Sequence, residues 1–333
     1  MDRQFPPEIV QLIVKASLDS LRVPNSLQLV DEDRYPILKR YSILNSTWRE
    51  ACKPSLYKIV AISSKAAASN FIRVAGEQGG KIVGVESMSI STDRWTEGLL
   101  AALLKCTPAV RELVLWSTLV PAEDLAHMLQ LTDLTLLSSD VISSSSSLTQ
   151  LPIRRLCTVS GSPTPGHFLT PNVLPNLREL IQMSSHNCTA LVPQLYAMEL
   201  SQYDIQPSLL LAKSLRLLSL DYEQQRDLPS LTNLPPFLLL SQIENARALV
   251  RILKKLVANP KTGLKMIFVS QHDEEEDSRY DSKIGRLITQ LGSMGVVVER
   301  EIDGFDEAIR RMDSILLAER EAAEKREWAG ARE

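Results

Sequence analysis

Three stretches of the chain hold residue types from which chemistry could be built. Residues 76–82, Gly-Glu-Gln-Gly-Gly-Lys-Ile, contain the Gly-Lys pair found where a backbone loop cradles phosphate. Such a loop also needs a glycine five residues before Gly80, for the turn, and a hydroxyl after Lys81, to hold magnesium. Ala75 and Ile82 stand at those two positions, so no phosphate loop is expected. His186-Asn187-Cys188 sets a base close to a thiol, the pairing that activates a nucleophile. We read no Cys/His nucleophile there. The run from His272 to Asp277, His-Asp-Glu-Glu-Glu-Asp, could draw a cation, but it lacks the spaced ligands and the glycine of a calcium loop. A solvated acidic loop is the expectation. The four histidines, His127, His167, His186 and His272, share no metal-ligand spacing, and no His-Glu-x-x-His helix motif occurs. Cys52, Cys106, Cys157 and Cys188 form no Cys-x-x-Cys pair and read as reduced, buried thiols. The expectation is a protein without catalytic residues, metal or cofactor.

Composition bounds what is left. Of 333 residues, 44% are apolar and 23% charged, the proportions of a folded globular chain. The net charge of −3 gives no polyanion-binding signal for the chain as a whole. The first ten residues are charged and proline-containing, which does not fit a signal peptide. No apolar run approaches the ~18 residues of a membrane span. Nucleic acid and membrane are therefore not expected partners, and the cytoplasm or nucleus is the expected location. Asn45-Ser46-Thr47 and Asn187-Cys188-Thr189 match the glycosylation sequon, and without a secretion signal they read as chance. Ser143–Ser147 reads as a flexible loop.

With chemistry absent, the elements that would position a binding surface carry the information. Near the N-terminus, Pro6 or Pro7 suits a first helical turn, where a missing N–H costs nothing. Ile9, Leu12, Ile13 and Ala16 follow at helical spacing. Residues 20–35 break the pattern and read as a loop. A second helix is predicted after Pro36, with Ile37, Leu38, Tyr41 and Leu44 on one side and Trp48 continuing it. Ser46 or Thr47 is expected to cap a third helix or to interrupt the second. Pro54 is expected to end it before a strand-like Leu-Tyr-Lys-Ile-Val-Ala-Ile. Sixty residues of short helices cannot bury all this apolar surface alone.

The order Phe5-Pro6-Pro7-Glu8-Ile9, Leu12-Ile13, Leu44 through Trp48-Arg49 and Pro54-Ser55-Leu56-Tyr57 resembles an F-box. It looks most like the divergent F-box proteins of mushroom-forming fungi. The chain departs from the family pattern in having Phe5 for the first leucine, Asn45 and Ser46 where Cys and a basic residue are common, and an insert at 20–35. The resemblance implies a helical bundle that docks on a Skp-type adaptor and, through it, a cullin. By that resemblance the adaptor-facing residues are Pro6, Ile9, Leu12, Ile13, Leu38, Tyr41, Leu44 and Trp48.

Behind this module a triplet, L-x-x-L-x-L, recurs. Its first members are Leu56, Val85, Val110, Leu131, Ile153, Leu177, Leu195, Leu215, Leu234, Leu264 and, weakly, Met294. The steps run from 18 residues (Leu177 to Leu195) to 30 (Leu264 to Met294), most of them in or near the leucine-rich-repeat range. Each unit offers a strand with two buried contacts and cannot bury its own face, so neighbours must stack. The Asn or Cys that usually follows the triplet is replaced by Asp93, Thr118, Ser139, Gly161, Ser185, Tyr203, Glu223, Gln242 and His272. Helical periodicity fills several intervals, including Ile243–Leu256 with Ile243, Ala246, Leu249, Val250, Leu253 and Leu256 on one face.

The expected fold class is thus α/β: a helical F-box-like module over 1–60, then an irregular leucine-rich-repeat-like solenoid over 61–333 with a C-terminal helix. The expected function is substrate recognition for a Skp–cullin–F-box ubiquitin ligase, with a protein target held on the inner, strand-lined side. With the triplets buried, the residues expected to point toward a target are Glu112, Trp116, Asp133, Leu137 and Arg155 in the earlier repeats. In the later repeats they are Glu179, Met183, Glu199 and Asp221. The alternative is a non-enzymatic repeat scaffold whose N-terminal helices only cap the solenoid.

Overall fold

The computed structural model describes residues 6–19, 34–56, 58–77, 79–82, 84–91, 98–142, 150–159, 168–183, 190–200, 214–220, 234–241, 243, 246–258, 263–270 and 278–330. Within this range the chain is mixed α/β, with helices at the N-terminus and parallel strands stacked one repeat after another, solenoid-fashion. It divides into two compact units, Met1–Asn176 and Leu177–Glu333.

The first unit opens with three helices, α1 (Pro7–Asp19), α2 (Arg34–Ser42) and α3 (Ser46–Leu56). Then come β1 (Ile59–Ile62), α4 (Lys65–Glu77), β2 (Ser87–Ser91), α5 (Leu99–Lys105), β3 (Glu112–Trp116) and β4 (Leu119–Pro121). The unit ends with α6 (Ala122–Leu125), β5 (Asp133–Leu137), β6 (Asp140–Ile142) and β7 (Arg155–Val159). Strands β1, β2, β3, β5 and β7 pair in parallel in that order. In register, Met88, Leu113, Leu134 and Leu156 form one buried row, and Ile90, Leu115 and Leu136 with Thr158 form the next. These are the triplet side chains, and their stacking explains why the spacing recurs: no single repeat closes its own core.

The second unit holds β8 (Glu179–Met183), β9 (Ala197–Leu200), β10 (Leu217–Leu220), β11 (Phe237–Leu240), α7 (Ala246–Ala258) and β12 (Met266–Ser270). It continues with α8 (Ser278–Ser293), β13 (Val297–Ile302) and α9 (Gly304–Gly330). Its strands are parallel in chain order, with Leu180, Met198, Leu218, Leu238, Ile267 and Val298 in one register row.

A strand stands behind every triplet, yet three triplets sit one residue out of register. At β1 the residues that align with Met88 and Ile90 are Val60 and Ile62, not Ile59 and Ala61. At β11 they are Leu238 and Leu240, because Leu218 pairs with Leu238. At β13 Val298 pairs with Ile267, and the triplet members Met294 and Val297 are exposed. A one-residue slip moves a strand's whole side-chain set to the other face. Leu-rich β11 is buried on both faces, so its sequence cannot tell one face from the other.

Two positions that replace the usual Asn are described, Thr118 and Ser139, and both are buried. Ser139 Oγ accepts the Thr118 N–H (3.0 Å) and lies 2.9 Å from the carbonyls of Leu115 and Leu137. Thr118 Oγ1 donates to the Trp116 carbonyl at 2.7 Å. The residues just before them, Ser117 and Ser138, share a left-handed backbone at φ 49. Short hydroxyls thus do here what an amide side chain does in a regular repeat, closing the turn that leads into β4 and β6, which pair in parallel. β4, β6 and α4 are additional to the elements expected from the sequence. The start of α4 is marked by Ser64, whose Oγ accepts the Ala67 N–H at 3.2 Å.

In the second unit β10 and β11 are sealed on both sides, and β12 over its central residues. Leu218, Leu220, Leu238, Leu240, Ile267 and Val269 are buried on one face, and Leu217, Ser219, Phe237, Leu239 and Phe268 on the other. Phe237 and Phe268 stack with centroids 6.2 Å apart. α9 lies against β10 and β11 and buries Phe305, Ala308, Ile309 and Met312, an i, i+3, i+4, i+7 stripe. Polar ties reinforce it: Tyr196 donates to Asp313 Oδ1 (2.7 Å), and Lys265 pairs with Glu319 (2.9 Å). Burial, and then the bond to Asp313, hold the Tyr196 phenol above its ordinary range.

Candidate partner-binding surfaces

The N-terminal helices form a small core of Val14, Leu38 and Cys52, with Tyr41, Trp48 and Ala51 packed against it. Val10 is also fully buried. The buried face of α1 is therefore Val10 and Val14, not the expected stripe of Ile9, Leu12, Ile13 and Ala16. Both stripes are apolar at helical spacing, so periodicity alone cannot choose between them. The consequence is that Ile9 (42% exposed) and Leu12 (62%) project into solvent, as do Ile43 (71%) and Leu44 (59%).

The helix boundaries also differ from expectation. α2 begins at Arg34, so Pro36 lies in its first turn rather than ahead of it. Asn45, not Ser46 or Thr47, caps α3: its Oδ1 accepts the Trp48 N–H at 3.1 Å. Pro54 does not end α3, which runs to Leu56. The expected loop over 20–35 lies outside the described residues up to 33.

Of the residues assigned to adaptor contact, Pro6, Ile9, Leu12 and Leu44 are exposed, and Ile13, Tyr41 and Trp48 are half-buried. Leu38, at 2% exposure, belongs to the interior of the module. Tyr41 and Trp48 pack with ring centroids 5.1 Å apart, and Tyr41 Oη shares a hydrogen bond with Ser17 (3.0 Å). Trp48 therefore bridges α2 and α3. Trp48→Ala is expected to destabilise the module by about 2–3 kcal/mol, below the ~3–5 kcal/mol of a fully buried aromatic. Thermal unfolding followed by Cys52 labelling reads this out, because burial shields that thiol and raises its pKa. An unchanged melting curve would place Trp48 outside the packing.

The strand-lined side of the first unit presents the residues between the triplets. Glu112 and Trp116 (44%) are exposed, while Asp133 and Arg155 are half-buried. Leu137 is buried, contrary to expectation. Glu112 accepts a hydrogen bond from Ser87 Oγ (2.7 Å), and Asp133 from Thr132 Oγ1 (2.6 Å). β3 and β5 place Glu112 beside Asp133 and Trp116 beside Leu137.

In the second unit, Glu179 and Glu199 are half-buried, and Glu199 accepts from the buried Ser219 at 3.1 Å. Met183 lies in β8 but its side chain is outside the described residues, as is Asp221. His186, Cys188, the 272–277 run and Ser143–Ser147 are likewise outside them. Among the described residues, no three His, Cys, Asp or Glu side chains gather as metal ligands, and no helix is long and apolar enough to cross a membrane. No family model matches the chain, and no match is found among curated proteins.

Proposed function

We propose that the chain is the substrate-recognition subunit of a Skp–cullin–F-box ubiquitin ligase. Its N-terminal helices would bind the adaptor, and an irregular leucine-rich-repeat region would bind a protein target. The observation that carries this reading is the helical module's excess of exposed apolar side chains. Ile9, Leu12, Ile43 and Leu44 stand in solvent although Val10, Val14, Leu38 and Cys52 already close the module's own core. Large exposed apolar groups on a small helical module mark a surface meant to be covered. In this reading the chain does no bond chemistry. It raises the effective concentration of a target near a ubiquitin-conjugating enzyme, in the cytoplasm or nucleus. Co-purification of the full chain with a Skp-type adaptor tests it directly, and absence of a complex at micromolar concentrations counts against it.

The second reading is a scaffold whose helices only cap the repeats. Contact between α3 and β1 favours it. The scaffold reading leaves Ile9 and Leu12 without a role.

The strand side of the first unit is the target surface in this proposal, since the matching face of β10 and β11 is sealed. Trp116, exposed and beside Leu137, is the anchor type that dominates interfaces. A photocrosslinker at position 116 is expected to capture a target in the presence of adaptor. One at Asn70, exposed on α4, is expected to capture none. The reverse result would move recognition to the helical side.

A further inference from the structure

The helix pair α7–α8 is strongly basic. α7 reads ARALVRILKKLVA, four cations and no acid. α8, packed against it, reads SRYDSKIGRLITQLGS, three cations and one acid. Seven cations thus face one carboxylate over the two helices, in a chain whose net charge is −3.

Burial fixes where part of that charge points. In α7 the exposed positions are Arg247, Arg251, Lys254 and Ala258. At 3.6 residues per turn they fall within about 60° of one another around the axis. Most other α7 positions are buried, among them Leu249, Leu253 and Leu256. The helix therefore shows solvent one narrow stripe, and its first three residues are cations roughly 4.5–6 Å apart along the axis.

Two local rules run against this stripe. Arg247 sits in the first turn, where the positive end of the helix dipole disfavours a cation. Arg247 and Arg251 are like charges at i, i+4, which repel. The helices α4 and α9 show the opposite habit, with Arg73–Glu77, Arg311–Glu307 and Arg320–Glu324 paired at i, i+4. None of Arg247, Arg251 and Lys254 has a described carboxylate at ion-pair distance. An arrangement that costs stability locally and has no partner within the described chain is one that an external anion would relieve.

We propose that the α7 stripe is a docking site for an acidic, Glu/Asp-rich segment of a partner protein. The apolar side of α7 is occupied by its own unit. That removes the two usual uses of a basic amphipathic helix, lying in a membrane surface or entering an apolar groove, since both need that side free. The stripe has no aromatic residue on which bases could stack. Contact through side-chain cations alone, on a chain of net negative charge, fits a short run of carboxylates better than a nucleic acid. The site is independent of adaptor binding at the N-terminal helices.

The test is fluorescence anisotropy of a labelled Glu/Asp-rich peptide with the full chain, at about 50 and 200 mM salt. The peptide is expected to bind, and to bind more weakly at the higher salt. The triple variant Arg247→Glu, Arg251→Glu, Lys254→Glu is expected to weaken it at least about tenfold and to gain affinity for a Lys-rich peptide. The single variant Arg251→Glu, expected to give a smaller loss, serves if the triple variant does not fold. No peptide binding by the wild-type chain overturns the proposal, and so does unchanged binding by the charge-reversed variants. Tighter binding of an equally charged RNA oligonucleotide than of the peptide also overturns it.

Discussion

Replacing Ile9 and Leu12 together by aspartate is expected to abolish capture of a Skp-type adaptor while leaving the helical module folded. Both side chains are largely exposed in the free chain, 42% and 62%, so two carboxylates there are solvated and cost the folded state little. In a complex they would be desolvated without a partner, which is expensive. Apolar anchors at interface centres each contribute about 2 kcal/mol or more. Losing two and adding two buried charges should weaken binding by more than about a hundredfold. The companion variant Leu38→Asp separates folding from binding. Leu38 lies in the module's core with Val14 and Cys52, so that change should unfold the module and lose binding for a different reason. Pull-down with adaptor, run beside circular dichroism melting, distinguishes the two. Full binding by the Ile9/Leu12 variant would remove these residues from the interface. Loss of binding together with loss of helicity would mean that α1 packs more tightly than its exposure implies.

That pair of variants rests on a distinction the sequence does not make. α1 carries Ile9, Val10, Leu12, Ile13 and Val14 in six positions, enough apolar residues to support two overlapping stripes. Which stripe is buried depends on where α2 and α3 arrive, and that is tertiary information. The strands were more legible because each is fixed by stacking on its neighbours: a slip in β3 would have to be matched in β2 and β5. Where a neighbour is missing or both faces are apolar, that constraint fails. β1 and β13 pair on one described side only, and β11 is a run of Phe-Leu-Leu-Leu. These are the three strands whose register reads wrongly.

The candidate target surface shows the same limit. Alternation predicts which strand residues leave the triplet face, and it places Glu112, Asp133 and Arg155 in one register row. It does not reveal whether something covers that second face. Leu217, Phe237, Leu239 and Phe268 signal the answer by composition, since four large apolar residues on a nominally outward face imply a cover. The buried hydroxyls of Thr118 and Ser139 were legible only as departures from a repeat pattern. Their work becomes visible once the carbonyls of Leu115, Trp116 and Leu137 are located beside them.

Met312→Asp is expected to be the most disruptive single change in the second unit. Met312 has no exposed surface and shares the buried stripe of α9 with Phe305, Ala308 and Ile309. A carboxylate there must either stay charged without a partner or take up a proton at neutral pH, and it also forfeits the packing of the methionine. The cost should exceed about 3–5 kcal/mol, a large share of the ~5–15 kcal/mol that holds a domain together. Five residues further along the same helix, Leu317 is 58% exposed, and Leu317→Asp should change stability by no more than about 0.5 kcal/mol. The contrast matters because α9 ends in alternating Glu, Lys and Arg, which by sequence alone marks a solvated terminus. If α9 seals the unit, its first half is a core element and only its second half is solvent-facing. Native-state hydrogen exchange can resolve this. In the wild type, amides of β10 and β11, the strands α9 lies against, should exchange only through global opening. In Met312→Asp they should exchange many-fold faster, and in Leu317→Asp they should not change. Equal protection in the two variants would mean that β10 and β11 hold their face closed without α9.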